Sequence, residues 1–141
     1  MNAGNEAMLS HASIDTDDLA RLTAFYDAVL PMLGCRRVSE HPGAVGYGRE
    51  TPELWLQTPV DEAAHGVGGR GVHLGLAAGS RDQVDAFYQA ARSAGGEAQH
   101  PPEQRPHAGE PVYAVFVRDP EGRVLEAVYR DLHSPPESGR A

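Results

Sequence analysis

Val72-His73-Leu74-Gly75-Leu76-Ala77, followed by Ser80-Arg81-Asp82-Gln83-Val84-Asp85-Ala86-Phe87-Tyr88, is the stretch that decides the fold. Its first part alternates apolar residues with polar or small ones, as a half-buried strand does. Its second part opens on a Ser-x-x-Gln capping box and carries Val84, Phe87, Tyr88 and Ala91 on one helical face. The same pattern recurs upstream in the same register. His11 lies fourteen residues before Phe25 of Ala24-Phe25-Tyr26, and His73 fourteen before Phe87 of Ala86-Phe87-Tyr88, so an offset of 62 residues carries one unit onto the other. A duplicated strand-and-helix unit predicts a paired fold, in which equivalent positions approach a pseudo-twofold axis.

Working outward, the first unit predicts a strand over 8–14 and a helix opening near Thr16 to Asp18, with Leu19, Leu22, Phe25, Val29 and Leu33 on its buried face and Pro31 and Gly34 closing it. Strands are expected at 35–40, 44–48 and 53–58, parted by His41-Pro42-Gly43 and Arg49-Glu50-Thr51-Pro52. The Gly-rich run His65 to Gly71 lacks the lysine and spacing of a P-loop and reads as a linker. The second unit then gives a strand over 71–77, a helix closed by Gly95-Gly96, a short strand near 97–99, a Pro-rich loop from Pro101 to Pro111, and a hairpin of 112–118 with 123–130. The fold class is therefore α+β: two paired βαβββ modules, about 8–60 and 71–131, forming a curved mixed sheet or cup within one domain spanning 8–131. Residues 1–7 and 132–141 are polar or rich in Pro and Gly and are expected to be disordered.

Composition narrows the function. At 141 residues, 40% apolar and 23% charged, the chain suits one soluble domain, and no apolar run is long enough to cross a bilayer. Met1-Asn2-Ala3-Gly4-Asn5-Glu6 lacks the pattern of an export signal, which predicts a cytoplasmic protein, and the single Cys35 makes no internal disulfide. The net charge of −8, with all twelve basic residues arginine, opposes nucleic acid as a partner. It says little about any single pocket.

Strand parity sorts the side chains that matter. His73, Gly75 and Ala77 fall on one face and Val72, Leu74 and Leu76 on the other; His11 and Ser13 divide from Ala12 and Ile14 in the same way. Asp119-Pro120-Glu121-Gly122 predicts a type I turn with Gly at the positive-φ position, so that Asp119 pairs with Arg123 and Glu126 sits opposite Phe116. Val115, Val117, Leu125, Ala127 and Tyr129 then face the core, leaving Glu126 on the concave side. His11, His73 and Glu126 thus supply two imidazoles and a carboxylate to one concave surface, the donor set of a divalent-cation site with open positions for water or substrate.

The runs Leu9-Ser10-His11, Asp17-Asp18-Leu19, Ala24-Phe25-Tyr26, Gly71-Val72-His73, Arg118-Asp119-Pro120-Glu121-Gly122 and Leu125-Glu126-Ala127 resemble the vicinal oxygen chelate superfamily. Its members include glyoxalase I, fosfomycin-resistance thiol transferases, extradiol dioxygenases, epimerases and bleomycin-binding proteins. The resemblance spans about residues 8–131 and implies a homodimer with His11, His73 and Glu126 as ligands of one Zn, Ni, Co, Mn or Fe ion. It implies an enzyme of lyase, isomerase or dioxygenase type that chelates a small oxygenated substrate. The alternatives are a binding protein of the bleomycin-resistance kind that sequesters an antibiotic or metabolite, and a thiol transferase related to fosfomycin resistance. In glyoxalase I a fourth-strand glutamate also binds the metal and handles the substrate proton; here Glu53-Leu54-Trp55-Leu56-Gln57 puts Trp55 at that place, and an indole does neither. The fosfomycin enzymes hold a phosphonate with a lysine and an arginine near the end of the chain, whereas this chain has no lysine and ends that region in His133-Ser134-Pro135.

Trp55, Gln57 and Phe116 are expected to line the cup beside the metal. Arg105 and His107 are expected in a loop that closes over the substrate, with His107 a candidate general base. His41, His65, His100 and His133 fall in turns, the connector or the tail and are given no role. Cys35 has no partner that would make it a nucleophile.

Overall fold

Among the described residues, eight strands and two α-helices follow one another in two copies of the same order. The computed structural model describes residues 7–59, 73–107 and 109–130, of His107 the backbone only. β1 (Ala12–Asp15), α1 (Leu19–Val29), β2 (Arg36–His41), β3 (Ala44–Gly48) and β4 (Leu54–Gln57) form the first module. β5 (His73–Ala77), α2 (Arg81–Ser93), β6 (Glu103–His107), β7 (Glu110–Arg118) and β8 (Val124–Tyr129) form the second. The expected α+β class and βαβββ pairing hold. The sheets run β1-β4-β3-β2 and β5-β8-β7-β6, each with one parallel pair, and among the described residues no strand pair joins them. The expected leader, tail and linker fall largely outside the described residues. No described helix is long and apolar enough to cross a membrane.

Each helix forms where its apolar face can be buried. Leu22, Phe25, Tyr26 and Val29 of α1 and Val84, Phe87 and Ala91 of α2 enter one core with Ile14, Leu56, Val115, Val117, Leu125 and Ala127 from both sheets. Asp18 caps α1 by accepting from the Arg21 amide at 3.1 Å; a 3-10 turn over Leu30–Leu33 then carries the chain past Pro31. At α2 the Ser80 hydroxyl accepts from the Gln83 amide at 3.1 Å, while the Gln83 carbonyl oxygen accepts from Gly79 at 2.7 Å. Replacing a capping hydroxyl by a methyl leaves a first-turn amide without its acceptor. Ser80→Ala is accordingly expected to lower stability by about 1 kcal/mol, read as a shift of the urea midpoint at unchanged slope.

Three expectations about strands need correction. The strand predicted over 8–14 begins only at Ala12, because the β4 neighbour begins there: the Ala12 amide donates to Glu53 and the ladder starts at Ala12–Leu54. Met8 and Leu9 are exposed, and His11 stands just before the strand. The Pro-rich loop from Pro101 to Pro111 contains β6, paired antiparallel with β7 from Glu103–Ala114 to His107–Glu110. Pro106 is tolerated because β6 is an edge strand, and at this alternate position the missing N–H would have pointed outward. The strand near 97–99 is reduced to a single bridge between Glu97 and Arg118.

The hairpin turn fastens the two modules together. Gly122 has φ 91°, the left-handed conformation the turn requires, and the Asp119 amide donates to Arg123 at 2.9 Å. Asp119 accepts from the amides of Glu121 and Arg123 with one oxygen and from the Tyr26 hydroxyl, at 2.8 Å, with the other. Arg123 donates to Glu121 at 2.7 Å and reaches the Asp15 carbonyl of β1 at 2.6 Å. Glu121 accepts from the Thr16 hydroxyl at 2.6 Å. Burial first, and then the neighbouring Asp119 charge, pushes the Tyr26 phenol well above its ordinary range, so it stays a neutral donor.

Candidate functional site

The faces of the sheets turned away from the helices carry the candidate residues. In β5, Leu74 and Leu76 pack toward the core while His73, Gly75 and Ala77 alternate outward. Glu126 lies opposite Phe116 as parity requires, with Val115, Val117, Leu125 and Ala127 in the core. β5 and β8 are neighbours, so His73 and Glu126 converge: Nε2 of His73 is 3.3 Å from Oε1 of Glu126. The glutamate is 4% exposed, and a carboxylate buried so deeply needs a partner. The half-exposed imidazole supplies one. The pair borders a recess of about 340 Å³ floored by Gly75, Ala77 and Val128.

Phe116 and Arg105 complete the surroundings. The His73 and Phe116 rings meet edge to face at 5.3 Å, and the Arg105 guanidinium lies 4.6 Å from the centre of the phenylalanine ring. The register thus brings Arg105 to the site from an edge strand rather than from a mobile cover. The His107 backbone closes the same ladder opposite Glu110; its side chain lies outside the described residues.

His11 does not join the pair. It is exposed, its Nδ1 is 2.8 Å from the Ser10 hydroxyl, and among the described residues no three His, Cys, Asp or Glu side chains are grouped to hold a metal. On this first-module face Trp55 stacks on His41 with ring centroids 6.0 Å apart, and Gln57 donates to Asp15 at 3.1 Å. Gly46 makes room for the indole, since a Cβ there would stand 3.0 Å from its ring. The two faces correspond residue for residue. The 62-residue offset carries Ser13 onto Gly75; Ser13 pairs with Trp55 and Gly75 with Glu126, so Trp55 occupies in one module the place that Glu126 occupies in the other.

Comparison with known proteins settles the family. The glyoxalase-like domain family matches residues 11–128. The chain belongs to that family. Among solved structures, the glyoxalase-like chain is 33% identical to a glyoxalase/bleomycin resistance protein from Albidiferax ferrireducens T118, with a TM-score of 0.74 over 88% of this chain and 100% of that one. A glyoxalase-related enzyme from Fulvimarina pelagi shares the fold at 18% identity and a TM-score of 0.67, over 88% of this chain and 89% of that one. So does a glyoxalase/bleomycin resistance protein/dioxygenase family enzyme from Burkholderia phytofirmans PsJN, at 21% and 0.66, over 87% and 98%. No curated protein matches. The match places this glyoxalase-like domain in the superfamily that its motifs resemble.

Some features of the domain were not apparent in the sequence. His41, read as a turn residue, ends β2 and meets Trp55. Arg92 and Arg118, given no role, line a cavity beyond Phe116. The bridge from Glu97 to Arg118 sets that cavity's edge; the sequence placed a short strand near 97–99 but not its partner.

Proposed function

We propose that this glyoxalase-like protein is a divalent-metal-dependent enzyme acting on a small oxygenated molecule, and that its site is completed in a homodimer. The observation that carries the reading is the His73–Glu126 pair. Its donors are 3.3 Å apart, a spacing that two ligands held about 2.1 Å from one ion allow, and an imidazole nitrogen with a carboxylate oxygen suits borderline cations. Two donors leave the set short of a triad. The exposed His11, equivalent to His73 in the other module, is assigned as the third, contributed by a second copy of the chain. A cation so held supplies Lewis acidity toward two substrate oxygens.

The protein's own groups do the rest. The buried Glu126 sets its carboxylate oxygen beside Nε2 of His73, so that both would face one cation. Phe116 shields the pair on one side and limits water there. Trp55 and Gln57 are assigned as substrate wall and Arg105 as a charged contact. Because Trp55 stands where Glu126 has its counterpart, no carboxylate is available there to shuttle a proton, and lactoylglutathione lyase chemistry is not the reaction proposed. The Trp55–His41 platform favours one second reading, capture of a flat ligand without catalysis, as in the bleomycin-resistance type.

Elemental analysis of the purified full chain distinguishes them. The enzyme reading expects about one divalent ion per chain, with Glu126→Gln losing most of it while the circular dichroism spectrum is unchanged. Wild-type protein that stays metal-free after incubation with zinc, nickel, cobalt, manganese and ferrous salts, yet binds planar ligands tightly, would establish capture instead.

A further inference from the structure

Beyond Phe116 the second sheet opens. Between the Glu97–Arg118 bridge and the Glu103–Ala114 ladder pair, residues 98–102 make no strand pairing, and a cavity of about 730 Å³ lies against β7. Arg118 exchanges both main-chain bonds with Glu97, its amide donating at 2.7 Å and its carbonyl accepting at 3.1 Å. Alternate residues of a strand direct these groups to the same side, so Phe116, two residues earlier, turns its N–H and C=O into the gap left by β6. Among the described residues, no main-chain or side-chain bond fills it.

The side chains give the gap its sign. Arg92, Arg105 and Arg118 line the cavity against Glu97 and Glu103, in a chain whose overall charge is −8. Glu103 approaches a terminal nitrogen of Arg105 no closer than 3.9 Å, Arg118 gives one nitrogen to the Gly122 carbonyl, and Arg92 lies 5.3 Å over the Tyr88 ring and gives one nitrogen to its hydroxyl. Guanidinium donors thus remain for a ligand. The floor is apolar, formed by Ala114, Phe116 and Val124.

The geometry points to a binding site for a carboxylate carried on a small apolar body. The Phe116 amide and the Arg105 fork take the carboxylate, and the body lies along the Phe116 ring toward His73. A charged acceptor is favoured over a neutral one because both donors are partly withdrawn from water and one carries a full charge. Binding rests on the cavity alone; if the His73–Glu126 pair is the metal centre proposed above, this ligand is its substrate and the substrate class is a carboxylic acid.

Titration of the ¹⁵N-labelled full-length protein with phenylacetate and, separately, with 2-phenylethanol tests the inference. Phenylacetate is expected to move the Phe116 amide resonance and to bind at least about tenfold tighter than the alcohol. Arg105→Gln should erase that margin and Arg105→Lys restore part of it, each with the dispersed spectrum of a folded chain. His73→Ala should keep phenylacetate binding, so loss of metal and loss of the carboxylate site are read separately. Equal affinity for acid and alcohol, an unmoved Phe116 amide, or a margin that survives Arg105→Gln in a folded protein would overturn the assignment. Should Arg105→Gln not fold, the wild-type comparison of acid with alcohol and the Phe116 shift decide alone.

Discussion

Asp119→Ala is expected to lower folding stability by about 3–5 kcal/mol, the loss typical when one member of a buried ion pair is removed. Asp119 is 3% exposed and Arg123 is 4% exposed, so neither can recover its lost interaction from water. Truncation strands more than one group: the Tyr26 hydroxyl loses its acceptor, the amides of Glu121 and Arg123 lose theirs, and the guanidinium keeps only Glu121 and the Asp15 carbonyl. Tyr26 belongs to α1 and Asp15 to the end of β1, whereas the other members belong to the β7–β8 turn. The damage therefore falls on the contact between modules. Against a total of about 5–15 kcal/mol for an ordinary domain, such a loss is a large fraction. Urea unfolding followed by tryptophan fluorescence and by far-ultraviolet dichroism measures it. Tyr26→Phe, which removes one hydrogen bond, should cost only about 1–2 kcal/mol, and the two losses should not add. A change below about 1 kcal/mol for Asp119→Ala would show that the modules are held by their apolar core alone.

The sequence shows why the fold was legible and where it was not. The repeat around His11 and His73, the capping residues and the alternation in β5 each encode a local decision, and they agree; Phe25 and Phe87 both end in the core. The second tyrosine of the repeat shows the limit. Tyr26 is buried on Asp119, while Tyr88 is only partly buried and meets Arg92, a difference set by which neighbour each helix finds in three dimensions. β6 was hidden for a related reason. Its proline and those flanking it oppose strand propensity, and only the bonding direction of an edge strand makes Pro106 harmless.

For the candidate site, register could be counted and distance could not. The turn fixed the Phe116–Glu126 pairing from sequence, and parity put His73 on the same face, so the 3.3 Å approach follows from two local rules and one parallel pairing. His11 obeys the same parity, yet parity does not say whether two sheets face one another. Arg105 came to the site through the unexpected β6, and Arg92 and Arg118 through the end of α2 and a single bridge. These are long-range consequences of packing with no signature in a short window.

Mixing two metal-deficient variants tests how the proposed metal site is completed. His11→Ala and His73→Ala, each pure, should retain only about a tenth or less of the wild-type metal, since either removes one of the proposed donors. In a twofold dimer whose two sites each combine His73 and Glu126 of one chain with His11 of the partner subunit, a mixed dimer has one site lacking both imidazoles and one intact. Random exchange of equal amounts makes about half the dimers mixed, so metal should return to about a quarter of the wild-type level. The signature is specific to shared sites, because a site built within one chain stays broken in both variants whatever their partners. Elemental analysis after joint unfolding and refolding gives the amount, and sedimentation confirms the dimer. Recovery should scale with the product of the two mole fractions and be greatest at equal amounts. No recovery in a well-formed mixed dimer would place all the donors within one chain, whereas full metal retention by His11→Ala alone would remove His11 from the ligand set, leaving His73 and Glu126 as the pair that any metal must use.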